Sequence, residues 1–107
     1  MKIKFYSLSE IEKIRSSSVL AGQRISPDIN IDYITSKHIG FFCFDKKLDT
    51  KHSVIYFSEK KFPDSWICDC KWFSLKKGLC KHILSVFFRL NQDENFLKNI
   101  EREKVSN

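Results

Sequence analysis

Cys68-Asp69-Cys70-Lys71-Trp72-Phe73-Ser74-Leu75-Lys76-Lys77-Gly78-Leu79-Cys80-Lys81-His82-Ile83 gathers three of the chain's four cysteines and one of its three histidines. The pattern is a Cys-x-Cys pair, nine residues, and a Cys-x-His pair. In an extended segment residues i and i+2 point to the same side, so Cys68 and Cys70 can face one ion together. In a helix the same spacing turns side chains roughly 200° apart. Cys80 is therefore expected just before a helix, with His82 in its first turn. Thiolates with an imidazole are the preferred donors of structural zinc. The spacing predicts one structural Zn2+ held by Cys68, Cys70, Cys80 and His82. With four protein ligands such a site has no open position for water, which argues against metal catalysis and for a protein that is not an enzyme.

Charge agrees with this placement. Three thiolates around Zn2+ leave one negative charge at a helix N-terminus, where the macrodipole favours it. Lys71 and Lys81 each adjoin a ligand and favour the thiolate form. Gly78 is read as relaxing the backbone on the approach to Cys80. A redox pair at Cys68 and Cys70 is the enzymatic alternative, but it leaves Cys80 and His82 unexplained. Cys43, alone on an aromatic stretch, reads as a buried inert thiol. His38 and His52 receive no role.

Outward from the motif, Ile83, Val86, Phe87 and Leu90 fall at i, i+3, i+4 and i+7, with Leu84 and Phe88 as a second row, so a deeply buried helix follows His82. Asn91-Gln92-Asp93 is expected to end it. A polar tail helix over 93–104 of the segment 93–107 has Phe96, Leu97 and Ile100 as anchors. Before the motif, strand signals cover 29–34, 39–44 and 53–58, joined by short links. A turn at Pro63-Asp64 then leads into Trp66-Ile67-Cys68. Ser7 and Glu10 form a capping box for a helix over 8–20, which Gly22 is placed to end. The predicted fold class is α+β: a small antiparallel β-sheet of about three strands, a zinc knuckle and packed helices, in a single domain over 1–107.

At 107 residues and 42% hydrophobic content, the chain suits one core rather than two or none. The N-terminus lacks the apolar run of a signal peptide, and apolar stretches stop at three or four residues. A soluble intracellular protein, cytoplasmic or nuclear/nucleoid, with no membrane association is expected. In that reducing setting cysteines favour metal over disulfides. Net charge is +6, and residues 66–90 alone carry five basic side chains against one acidic. That density predicts an anionic partner, nucleic acid, with DNA ahead of RNA. The candidate contacts are Lys71, Lys76 and Lys77 between the ligand pairs, Lys81 at the helix start and Arg89 on the His82/Ser85 face. Trp72 and Phe73 are read first as a cover over the metal and second as stacking rings.

Cys68-Asp69-Cys70, the nine-residue gap and Cys80-Lys81-His82-Ile83 resemble the SWIM zinc finger, over roughly residues 52–92. The resemblance implies a module that binds DNA or protein beside larger machinery. No Gly-x-x-x-x-Gly-Lys-Ser/Thr phosphate loop is present, and a motor domain has no room in this length. A recombination-associated branch, the Shu-complex type, pairs with a RecA/Rad51-like paralogue; it carries Ala three residues after the His, where this chain has Ser85. By resemblance the expected role is in DNA recombination or repair. The competing expectation is a purely protein–protein adaptor that makes no nucleic-acid contact, suggested by more apolar residues than so small a core needs.

Overall fold

In the computed structural model, which describes residues 3–14, 17–76 and 78–106, the chain starts on the predicted capping box. The amide of Glu10 donates to Ser7 Oγ, and the amide of Ser7 donates to Glu10 Oε1. The helix so begun, α1, is short, Leu8–Glu12, and a second helix, α2, runs Ser17–Ile25. The helix expected over 8–20 is therefore two pieces. Gly22 does not end α2 but lies inside it. A Cβ there would sit 3.1 Å from Leu84 Cβ, Lys81 O and Ser85 N, so the missing side chain is what lets two helices touch backbone to backbone.

After a 3-10 turn at Ser26–Asp28 come four strands: β1 Ile29–Ile34, β2 His38–Asp45, β3 Thr50–Phe57 and β4 Trp66–Cys68. All pairs are antiparallel, in the order β1-β2-β3-β4. The sheet has one more strand than expected. Three residues are too few to show an alternation, and Trp66-Ile67-Cys68 becomes a strand only by pairing with Tyr56-Ile55-Val54. A bulge between Ile31 and Tyr33 lets Tyr33 face Gly40, whose missing Cβ would otherwise strike the Tyr33 ring at 2.3 Å.

The remaining helices are α3 Lys71–Lys76, α4 Lys81–Gln92 and α5 Glu94–Ser106. Helix α4 is the spine of the molecule. His82, Ile83, Leu84, Ser85, Val86, Phe87, Phe88 and Leu90 are all buried in it. One face of the sheet, with Ile39, Phe41, Cys43, Val54, Tyr56 and Trp66, closes over α4 to form the core. Asp93, expected to break the helix, caps α4 at its C-terminus and accepts the Phe96 amide at the start of α5. The N-terminal segment is stitched onto this core by Trp66 Nε1, which donates to Lys4 O at 2.8 Å, and by Asn91 Nδ2, which donates to Tyr6 O at 2.8 Å. No described helix is long and apolar enough to cross a membrane.

Candidate metal centre

The two ligand pairs reach the site from different elements. Cys68 is the last residue of β4 and Cys70 immediately precedes α3. Asp69 lies between them and is fixed to β3 twice: its amide donates to Ser53 O at 3.2 Å, and its Oδ1 accepts the Ser53 amide at 3.1 Å. With Asp69 turned to β3, the flanking cysteines turn the other way, as the i, i+2 argument requires. Cys80 is the N-cap of α4 and His82 its second residue, which is the placement expected.

The donor atoms of Cys68, Cys70, Cys80 and His82 all lie within 4.8 Å of one another. Cys68 Sγ and His82 Nδ1 are 3.7 Å apart. Zinc–sulfur and zinc–nitrogen bonds of about 2.3 and 2.1 Å at a tetrahedral angle put sulfur and nitrogen about 3.6 Å apart. All four residues are buried, and His82 Nε2 is a buried polar atom without a hydrogen-bond partner. Three soft sulfurs and one imidazole drawn together out of water suit a single zinc ion in chemistry and in number.

In the bare chain the thiols differ. The hydrogen bond between Cys68 and Cys80 lowers the Cys80 pKa and raises that of Cys68, and burial adds to the Cys68 rise. Burial also raises Cys70, while the Phe73 amide donates to its sulfur at 3.4 Å and favours the thiolate. The amides of His82 and Ile83 pull Cys80 further down without closing a cap hydrogen bond. One thiol is thus set to ionise first at the positive end of α4. Burial pushes Cys43, on β2, up to about 12. Its sulfur lies 3.7 Å from His82 O and 3.8 Å from Ser85 Oγ, apart from the ligand group and packed as a core side chain.

Residues 66–91 match the family model of the SWIM zinc finger. No curated protein and no solved structure matches the chain. The SWIM segment thus runs from β4 through most of α4 and contains all four ligands.

One contributor went unassigned in the sequence. His52, on β3, places its ring 4.3 Å from that of His82 and its Nδ1 3.0 Å from Asp69 Oδ1. A histidine in a polar stretch gives no sign of this, because the contact depends on the β3–β4 register.

The basic candidates separate. Lys71 and Lys76 are exposed on α3, a helix within the SWIM segment where a loop was expected. Lys77 lies outside the described residues. Lys81 turns toward the buried carboxylate of Asp45, at 3.7 Å. Arg89 donates to Pro27 O and Ile29 O, pairs with Asp93 at 3.3 Å and covers the Phe96 ring. Phe73 packs against the core, whereas Trp72 is 42% exposed. Trp72 lines a cavity of about 350 Å³ beside the ligands, with Ser18, His52 and Lys71. Gly78 lies beside the Trp72 ring, at 3.4 Å from the position a Cβ would take. No described glycine has positive φ, so Gly78 does not use the left-handed region.

Proposed function

We propose that this zinc-clasped SWIM module binds nucleic acid, DNA first, through helix α3. The observation that carries this reading is the state of the lysines on α3. Lys71 and Lys76 are exposed, no carboxylate lies on that helix, and no described ion pair occupies either ammonium. Lys81 and Arg89, by contrast, are engaged within the fold, so among the four described candidates the uncommitted charge sits on the inter-ligand helix. Trp72 beside these lysines offers a ring to an unpaired base. Zinc acts as a clasp that fixes the position of α3, and no chemical step is assigned to it. By resemblance, the setting is DNA recombination or repair beside a RecA/Rad51-like paralogue.

The test is anisotropy of labelled duplex and single-stranded DNA with zinc-loaded protein across a salt series. Binding that weakens linearly in log[salt] is expected. Lys71→Ala with Lys76→Ala should flatten the slope by about 0.9 for each duplex phosphate that is no longer neutralised. An unchanged slope in that variant, with zinc retained, overturns the reading.

A second reading is a protein adaptor. It rests on Leu75, which is 71% exposed on the same helix. Under it, Leu75→Glu abolishes capture of a recombinase-type partner and leaves DNA binding intact.

A further inference from the structure

The sheet has a second face, and the core does not use it. Pleating sends Phe42, Phe44, Ile55, Phe57 and Ile67 away from α4, and Tyr33 joins them across Gly40. None of these six belongs to the buried core or to the partly buried set packed against it. Among the described residues no helix covers this face. Helices α2, α4 and α5 meet the sheet from the core side, where Phe41 lies against Phe96 of α5, and α3 meets only the short edge strand β4. On this four-stranded platform Tyr33 is exposed and Phe42, Phe44 and Phe57 are half-buried.

Cations are placed among them. Lys51 Nζ stands 4.6 Å above the Phe42 ring, and Lys60 Nζ stands 4.6 Å above Phe57. Neither ammonium has a carboxylate partner among the described ion pairs. Of the acids near this face, Glu59 pairs with Lys37 at 3.2 Å and Asp69 bonds Ser53 and His52, while Asp32 beside Tyr33 and Asp49 two residues from Lys51 are exposed. Around Phe42 and Phe57 the face is apolar, aromatic and cationic together. A partner with flat π-surfaces and one negative charge per unit complements it, and unpaired nucleic acid has that chemistry. A protein surface of matching aliphatic character would instead leave Lys51 and Lys60 buried and unpaired, at a cost.

We propose that the open sheet face is a binding surface for single-stranded nucleic acid, with bases stacked on Phe42, Phe57 and Tyr33 and phosphates taken by Lys51 and Lys60. The lysine over each ring acts as a placeholder. An arriving base can displace the ammonium from each half-buried ring toward that base's own phosphate. Phe42 on β2 and Phe57 on β3 lie two cross-strand rows to either side of the Tyr33–Gly40 row, so the three rings form a triangle spread over β1, β2 and β3. This surface is separate from α3, and its success or failure is independent of the reading above.

The experiment uses the full zinc-loaded chain with labelled oligo-dT, oligo-U and a mixed-sequence duplex, comparing wild type with Phe42→Thr/Phe57→Thr and with Lys71→Ala/Lys76→Ala. Zinc content and far-UV circular dichroism certify each variant as folded, and Phe42→Leu/Phe57→Leu repeats the test with an apolar face retained. The expected result is a loss of tenfold or more in single-strand affinity for both phenylalanine variants, with duplex affinity changed less than twofold. The α3 variant should weaken both substrates. Ultraviolet crosslinking should place the strand on the peptide 33–60. The proposal is overturned if single strands do not bind at low salt, if folded phenylalanine variants bind them as wild type does, or if crosslinks fall only on residues 71–76. It is equally overturned if the phenylalanine variants convert a dimer to a monomer without changing strand affinity, which would make the face a contact between copies.

Discussion

The rings of His52 and His82 lie 4.3 Å apart, and through His52 both halves of the metal centre meet on one strand. His82 comes from α4, while Asp69, between Cys68 and Cys70, holds His52 Nδ1 at 3.0 Å. Groups that orient ligands without binding the metal commonly contribute 10–100-fold to affinity. Replacing His52 with Ala should therefore weaken zinc binding by about tenfold although all four ligands remain. Asp69→Asn should do less, because an amide oxygen still accepts from Ser53. Competition with a chromophoric chelator measures both. Wild-type affinity in His52→Ala would show that the ring contact is passive packing.

Removing zinc should take the fold with it. The ligands join β4, α3 and α4 across the seam of sheet and helix, and a preformed site rarely survives without its metal. A strong chelator should abolish the cooperative thermal transition, and added Zn2+ should restore it. Cys80→Ser should bind less than one zinc per chain, whereas Cys43→Ala should keep full stoichiometry. Metal analysis by mass spectrometry separates the two.

Gly22 predicts a packing defect. Two of the three atoms a Cβ would meet at 3.1 Å are backbone atoms of α4, which cannot rotate away. Gly22→Val should destabilise the protein by about 2 kcal/mol, the usual cost of overfilling a close contact. The midpoint of denaturant unfolding at constant zinc reports it. A midpoint at or above wild type would mean that α2 shifts freely on α4.

Asp45 adds to the acid sensitivity of the fold, beside protonation of the zinc ligands. Its carboxylate is fully buried and accepts two bonds from Arg24, one at 3.0 Å from Nη2, as well as the amides of Lys47 and Leu48. The Arg24 guanidinium first, and the amides after it, hold its pKa well below the usual carboxylate range. A lowered folded pKa stabilises above the unfolded value of about 3.9 and is lost as pH falls from there toward the folded value. Stability should thus decline below about pH 4 in wild type, and Asp45→Asn should flatten that decline. At neutral pH the same substitution should lower stability, since Arg24 and Lys81 lose their shared counter-charge. Urea titrations at stepped pH, in a chelator-free zinc buffer, test both.

Much of this was legible in the chain because its signals are local. The i, i+2 rule put Cys80 ahead of a helix and His82 in its first turn, and Ser7 with Glu10 announced the first cap. What escaped was tertiary. Trp66-Ile67-Cys68 is a strand only because β3 offers an edge, and Lys71–Lys76 is a helix where spacing suggested a loop. Gly22 resembles a terminator in sequence and serves as a contact in space. His52 joins the site through register, which no single segment encodes. Arg89 resembled a ligand-binding cation until two backbone carbonyls and Asp93 were seen to occupy it.

In ββα zinc fingers the helix that carries the second ligand pair is the reading head, laid into a groove of the duplex. Here that helix is the most enclosed element of the molecule, with eight of its twelve residues buried. The finger is turned inside out, its probing surface spent on holding the protein together. On the readings proposed above, recognition falls to the rim and the outer wall, so that a change of partner there would leave the metal undisturbed.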